Sequence, residues 1–327
     1  MARILALSCA LLLLCAASAL AVPDCPDAAP PRTIVADQGS MESIIAGPDG
    51  ALYYTAAGAL MRLAAPDAMP TVLTPDVEAG GGLLVGLDGK SLILGFGDSL
   101  QGGSTGNAFP MAGLYRIDLA TGAKTTIVTG MSMANGLARD ARGAVYGSND
   151  ITLGIDKVVA GKVTPRWSTM VSPNGLAVDS TNTYLFANQT FTASAIQRIP
   201  LADPSAAEVY ARPDPGDIAA GLDGMTIDQD DRLFSAANQG GEVWRTGTDR
   251  KICALARGLK QPSAVAFGAG GPFPETSLYA VGFGGELTEL AAARVAPPAP
   301  EITVAPARLR ANVGRRLTVT VIRQNLP

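Results

Sequence analysis

One segment recurs along this chain: a small or polar residue, a short apolar run, an Asp/Gly turn, then a second apolar run. It reads Glu42-Ser-Ile-Ile-Ala-Gly-Pro-Asp49-Gly50-Ala-Leu-Tyr-Tyr, then Asn135-Gly-Leu-Ala-Arg-Asp140-Ala-Arg-Gly143-Ala-Val-Tyr. It returns as Asn174-Gly-Leu-Ala-Val-Asp179-Ser-Thr-Asn182-Thr-Tyr-Leu-Phe and as Asp223-Gly-Met-Thr-Ile-Asp228-Gln-Asp-Asp231-Arg-Leu-Phe, with weaker copies from Gly81 and Ser263. A period of about 40 residues with several short strands per unit predicts a β-propeller, because one blade cannot bury both faces alone. Six copies predict six blades, and residues sharing a column of the repeat form a ring around the axis.

The expected fold is therefore all-β: a six-bladed propeller over residues 22–293. In the fourth unit the strands trace to Gly175–Val178, Tyr184–Ala187, Ala195–Pro200 and Ala207–Arg212. The sixth unit offers only three strands, near Val265, Leu278 and Leu287. Its fourth is expected from Arg32–Ala36, an N-terminal strand that closes the ring and removes a sheet edge. With 37 Gly, 23 Pro and 17% charged residues, the composition suits many tight turns between buried strands, and no amphipathic helix of useful length is visible.

Residues 1–21 read as a signal peptide: Arg3, an apolar run Ile4–Leu14, then Ala19-Leu20-Ala21 as a cleavage site. The run is too short, and too lacking in a charged stop-transfer flank, to read as a membrane span. Secretion or a periplasmic location follows. Cys25 and Cys253 then remain, and in an oxidising compartment they form one disulfide or stay as two free thiols. Residues 294–327 read as a Pro-rich linker and a short extension with strand-like patterns at Ile302–Val304 and Leu317–Ile322, too short for a domain of its own.

The balance is acidic, 29 Asp and Glu against 25 Lys and Arg, with the basic residues scattered, which argues against nucleic acid. The chain has no histidine. A Ser-His-Asp triad, a histidine base and His-ligated zinc are excluded, and Ser172, Ser194 and Ser235 have no evident partner to activate them. Chemistry must come from carboxylates, amides, hydroxyls or a hard metal ion.

Antiparallel order places the repeat column on one face of the disc with the loops between second and third strands: Asp98–Ala112, Asn149-Asp150, Asn188–Thr190 and Asn238-Gln239. Glu42, Asn174 and Asp223 there supply two carboxylates and an amide oxygen, donors that suit calcium, with magnesium, manganese or zinc as alternatives. Two carboxylates held close repel each other unless a cation joins them. The bland alternative is that Asn-Gly and Asp-Gly are simply turn formers, although Met41-Glu42-Ser43 is no turn motif. The longest interval, Gly81 to Asn135, holds the polar Gly-rich stretch Gly97–Pro110, either a cover for the mouth or an inert loop. Trp167 and Trp244 read as blade packing, and Asn188-Gln189-Thr190 is a glycosylation sequon only in a host that glycosylates.

The stretches Asn174–Asp179 with Tyr184–Asn188, and Gly221–Asp228 with Arg232-Leu-Phe, resemble the senescence-marker-protein/gluconolactonase family of six-bladed propellers, from about Gln38 to Leu290. The resemblance implies that Glu42, Asn174 and Asp223 hold a divalent cation, often calcium, and that Asn135 binds water or substrate. It further implies a lactonase: a lactone or related ester opened by metal-activated water, with Asp223 as ligand and proton acceptor. Asn135, Met133 and Asn188 are the expected substrate contacts. Met133 departs from the family, whose sugar-lactone members tend to carry Arg there. With Phe109 and Met111 on the loop, a less polar lactone or ester is an open alternative. A non-catalytic binding propeller with a structural calcium, or a strictosidine-synthase-like propeller, are the rival readings.

Overall fold

The computed structural model describes residues 21–77 and 79–294. The expected signal segment up to residue 20, and the extension from residue 295, lie outside the described residues. Among the described residues the chain forms six four-stranded antiparallel sheets. Their inner strands are Met41–Ala46, Gly80–Val85, Leu137–Arg139, Pro173–Val178, Leu222–Ile227 and Pro262–Phe267, which open blades 1 to 6. Each inner strand lies beside those of the blades before and after it, and that of blade 6 lies beside that of blade 1, so the sheets close into a six-bladed propeller.

Blade 4 runs Pro173–Val178, Tyr184–Gln189, Ala195–Pro200 and Glu208–Ala211, close to the strands traced from its sequence. Blade 6 takes Pro262–Phe267, Leu278–Gly282 and Leu287–Leu290, and its outer strand is Arg32–Val35 from the N-terminal side. Arg32 pairs with Glu289 and Thr33 with Thr288 in that closing ladder. The Arg32–Glu289 ion pair at 2.6 Å marks the register on the surface, where such pairs contribute little to stability.

Where the repeat carries its Asp, the side chain closes the turn. Asp140 Oδ1 accepts from the main-chain N–H groups of Arg142 and Ala144, and Asp228 Oδ1 from those of Asp230 and Arg232. This is the Asx turn that a period of Asp followed by Gly, Asn or Asp encodes. The apolar runs on either side then pack blade against blade. Met41, Ile44 and Tyr54 of blade 1 meet Ala266, Phe273 and Tyr279 around blade 6, and Phe186 and Tyr210 of blade 4 meet Leu222 and Trp244 of blade 5. Trp244 is buried and Trp167 packs tilted against Tyr146, ring centroids 4.8 Å apart, so both tryptophans serve packing. Burial of each such side chain contributes about 1.5–3 kcal/mol, and the core of this ring lies between blades.

The N-terminal segment docks on blade 5. Cys25 is disulfide-bonded to Cys253, Cys25 N–H donates to Ala254 O at 2.8 Å, and Ala254 N–H donates to Pro23 O at 2.7 Å. The segment thereby covers the outer strand Ile252–Ala256, another exposed edge removed.

The Gly97–Pro110 stretch differs from the expected irregular loop: Leu100–Gly106 is a short helix, α1. Ser99 caps it by accepting from Gly102 N–H at 3.0 Å. Glycine inside a helix costs about 1 kcal/mol by propensity, which is why the sequence gives no sign of it. Tertiary contact overrides that cost, since a Cβ on Gly106 would sit 1.8 Å from Ser132 O and one on Gly103 would strike Ile151 and Met133.

Candidate functional site

The column residues meet at the axis because the inner strands approach unusually closely there. A Cβ on Gly136 would lie 2.3 Å from Asn174 O, and one on Gly175 would lie 2.6 Å from Asp223 O. Neither glycine has a positive φ. Asn-Gly is thus no turn former here; the glycine lets the start of one blade touch the start of the next. Side chains of the second strands hold these starts in place. Ser148 Oγ donates to Asn174 O at 2.8 Å, and Asn188 Nδ2 to Asp223 O at 2.6 Å. At the ring closure Ser263 Oγ donates to Met41 O at 2.7 Å.

Glu42, Asn135, Asn174 and Asp223 line one cavity of about 200 Å³ at the mouth, joined there by Asp98 and Asp150. The same four residues line a narrower axial space of about 60 Å³. Asp98 and Asp150 come from the loops after the second strands of blades 2 and 3, outside the repeat column. Asn135 Nδ2 stands between two carboxylates, 3.4 Å from Glu42 Oε1 and 3.2 Å from Asp98 Oδ1. Asn238 Nδ2 reaches Asp223 Oδ2 at 3.4 Å while also donating to the carbonyls of Gln261 and Pro262.

Four carboxylates therefore share a small space, and among the described residues no Lys or Arg lines it. Burial raises Glu42 well above the usual carboxylate range, with Asp98, Asp223 and Asp150 adding repulsion. Burial likewise raises Asp223 well above that range, Asp150 and Asp98 contributing, against an opposing hydrogen bond from Asn174. Asp98 is pushed up to about 7 by burial and by Asp150, and Asp150 to about 6 by burial.

Asn174 Oδ1, Asp223 Oδ1 and Asp150 Oδ1 are buried with no hydrogen-bond partner among the described residues. Orphaned buried oxygens are costly, and three of them beside further carboxylates form an acceptor-rich pocket that a hard cation satisfies. Among the described residues no three acidic or cysteine side chains group closely enough to hold an ion by themselves. The expected set combines two carboxylates with an amide, and its donors fit such an ion.

Met133 lines the mouth, buried under α1. Asn188 does not line it. Its side chain is committed to Asp223 O and, through Oδ1, to Ser235 Oγ at 3.0 Å, so it touches the site only from behind. Phe109 and Met111 border a separate cavity with Gln101 and Thr105.

Residues 153–276 match the family model of the SMP-30/gluconolactonase/LRE-like region. That match runs from the third strand of blade 3 into blade 6. The match includes Asn174 and Asp223, and the resemblance read from blades 4 and 5 holds. No curated protein matches the chain by sequence. A gluconolactonase from Xanthomonas campestris superposes with a TM-score of 0.65 at 18% identity, over 83% of this chain and 97% of that one. Regucalcin from Agrobacterium tumefaciens, a calcium-binding protein, superposes at 0.63 with 20% identity, over 81% and 94%. A virginiamycin B lyase from Staphylococcus aureus, in a catalytically inactive form with a histidine replaced by alanine, superposes at 0.53 with 15% identity, over 79% and 82%. At these identities the likeness is one of fold.

Proposed function

We propose that this protein is an exported, divalent-cation-dependent hydrolase that opens a lactone or related ester at the mouth of the propeller, with calcium as the ion of choice. The observation that carries the reading is the pair of orphaned oxygens, Asn174 Oδ1 and Asp223 Oδ1, buried beside Glu42 in a cavity that no Lys or Arg lines among the described residues. Glu42, Asn174 and Asp223 would hold the ion. Bound there, it would supply Lewis acidity toward an ester carbonyl and acidity to water.

The side chains divide the remaining work. Asp223 accepts the proton of the attacking water; its Oδ2 is steadied by Asn238 and its backbone by Asn188, while Oδ1 stays free of protein donors. Asn135 offers an amide N–H at the mouth, already turned toward Glu42 and Asp98, and that donor orients the substrate carbonyl. Asn188 is a positioning residue, not a substrate contact. The Cys25–Cys253 disulfide supports an oxidising compartment, and no helix among the described residues is long and apolar enough to cross a membrane. A lyase reaction that depends on histidine has no counterpart in a chain without one.

The test is chelation and reconstitution. Protein stripped of ions should lose hydrolysis of a lactone panel and regain it with calcium or another divalent ion. A protein that binds calcium at this site and turns over no lactone or ester is a binding propeller, and the hydrolase reading fails.

A further inference from the structure

The two ends of the mouth differ in chemistry. Its floor is the carboxylate and amide cluster, and its walls carry large apolar side chains: Leu100 from α1, Met133, Ile151, Phe191 and Phe283 line the same cavity of about 200 Å³. Three of these belong to the large apolar side chains left exposed on the surface, Leu100 at 73%, Phe191 at 60% and Phe283 at 36%. They come from three separate loops, after the second strands of blades 2, 4 and 6, and they converge at one opening. A convergent apolar rim over a polar floor marks a ligand site.

Most polar groups of the walls are already engaged, the exposed amide of Gln239 being the exception. Thr190 Oγ1 donates to Leu222 O, and Asn238 Nδ2 is held by two main-chain carbonyls. Ser99 Oγ accepts the cap bond of α1. Among the described residues no Arg or Lys lines the cavity. A polyhydroxylated sugar lactone would place hydroxyls against Phe191, Phe283 and Leu100, losing water there without gaining partners, a cost of roughly 1–3 kcal/mol for each unsatisfied group. An alkyl substituent there gains about 0.8 kcal/mol for each methylene buried. The wall is also firm: Gly103 of α1 sits so close to Ile151 and Met133 that a Cβ would meet both at under 3 Å.

We infer that the mouth selects lactones or esters that carry an apolar chain over polyhydroxylated sugar lactones, with Phe191, Phe283 and Leu100 receiving the chain. This rests on the hydrolase reading for its reaction but not for its ligand chemistry, and the test separates the two. In calcium-containing buffer, turnover of δ-decalactone, δ-valerolactone and D-glucono-δ-lactone is compared, and calorimetry measures binding of 6-pentylpiperidin-2-one, the unreactive lactam of the alkylated ring.

The expected result is kcat/KM for δ-decalactone at least about tenfold above that for the gluconolactone, the discrimination a hydrophobic pocket provides. Phe191→Ala should lower the δ-decalactone to δ-valerolactone ratio by about tenfold and weaken lactam binding. Phe109→Ala, in the separate cavity, should leave both unchanged. Preference for gluconolactone, an unaltered ratio in Phe191→Ala, or no lactam binding would overturn the inference. Lactam binding that Phe191→Ala weakens, with no lactone hydrolysed, would uphold the ligand class and remove the hydrolase reading.

Discussion

Asn188 Nδ2 donates a 2.6 Å hydrogen bond to the main-chain carbonyl of Asp223, so a side chain of blade 4 fixes the backbone from which blade 5 presents its carboxylate. Ser148 does the same for Asn174 at 2.8 Å and Ser43 for Gly81 at 2.6 Å. The ring of potential ligands is thus built on a second ring of donors, each reaching one blade ahead. Such supporting bonds hold a polar site to tolerances that loop residues alone do not reach.

Asn188→Ala should therefore weaken calcium binding by about ten- to a hundredfold, the range found when a group supporting a metal ligand is removed. Calorimetric calcium affinity is the decisive measurement. Ser235→Ala, which removes only the hydroxyl on Asn188 Oδ1, should have a smaller effect in the same direction. Equal calcium affinity in Asn188→Ala and the parent protein would deny the positioning role.

Asp223→Asn separates charge from shape. The amide fills the same volume, so the fold should persist, while on the proposed mechanism turnover should fall by at least about a hundredfold, since Asp223 there serves as proton acceptor and ion ligand. In chelator the variant should melt above the parent, because one of four mutually repelling carboxylates is gone. Undiminished activity would remove Asp223 as the base.

The sequence made the ring legible because period and column survive in the residues themselves: Glu42, Asn135, Asn174 and Asp223 fall in register and meet in one cavity. The closing strand at Arg32–Val35 was legible because blade 6 lacked a fourth strand of its own. Asp98 and Asp150 were legible only as loop residues at the correct face. Their approach to Glu42 depends on how two loops of unequal length turn, which no spacing encodes. Asn188 misled for the opposite reason: its register position faces the mouth, but its amide is drawn back to the carbonyl of Asp223. The helix α1 was hidden because its glycines, poor helix formers, are there for contact with Ser132 and Ile151.

That contact logic applies equally at the axis. Gly175→Ala would bring a Cβ to 2.3 Å from Met225 N and 2.6 Å from Asp223 O, both main-chain atoms that cannot swing aside. The expected cost is about 1–3 kcal/mol of stability from overpacking. Calcium affinity should fall with it, since Asp223 must shift. A melting temperature equal to that of the parent would show that the inner strands are looser than their spacing indicates.

Reduction tests the N-terminal staple. Cys25–Cys253 links residues 228 positions apart, and its loss in Cys253→Ser should cost about 2–5 kcal/mol. The paired bonds of Cys25 and Pro23 with Ala254 should then exchange their amide hydrogens faster than the inner strands. Unchanged protection at Ala254 would mean that those backbone bonds hold the segment without the disulfide.

The carboxylate cluster predicts an unusual pH dependence. In the folded protein Asp98 titrates near 7 and Asp150 near 6, and Glu42 and Asp223 are raised as well, whereas in the unfolded chain all four ionise near about 4. Between those limits the folded state holds more protons than the unfolded one, so stability from this cluster is fully present below about pH 4 and is lost as pH rises toward about 7. Surface carboxylates paired with arginine, Asp88 with Arg116 and Asp27 with Arg245, are shifted the other way and lose their contribution only as pH falls below about 4, so the two effects occupy different windows. In chelator the melting temperature should therefore decline from about pH 4.5 to 7.5. With calcium present the ionised carboxylates acquire a counter-charge, the ion competes with protons, and the decline should flatten or reverse. Melting curves across this range in EDTA and in calcium chloride measure both; parallel profiles in the two buffers would show that these carboxylates do not share an ion.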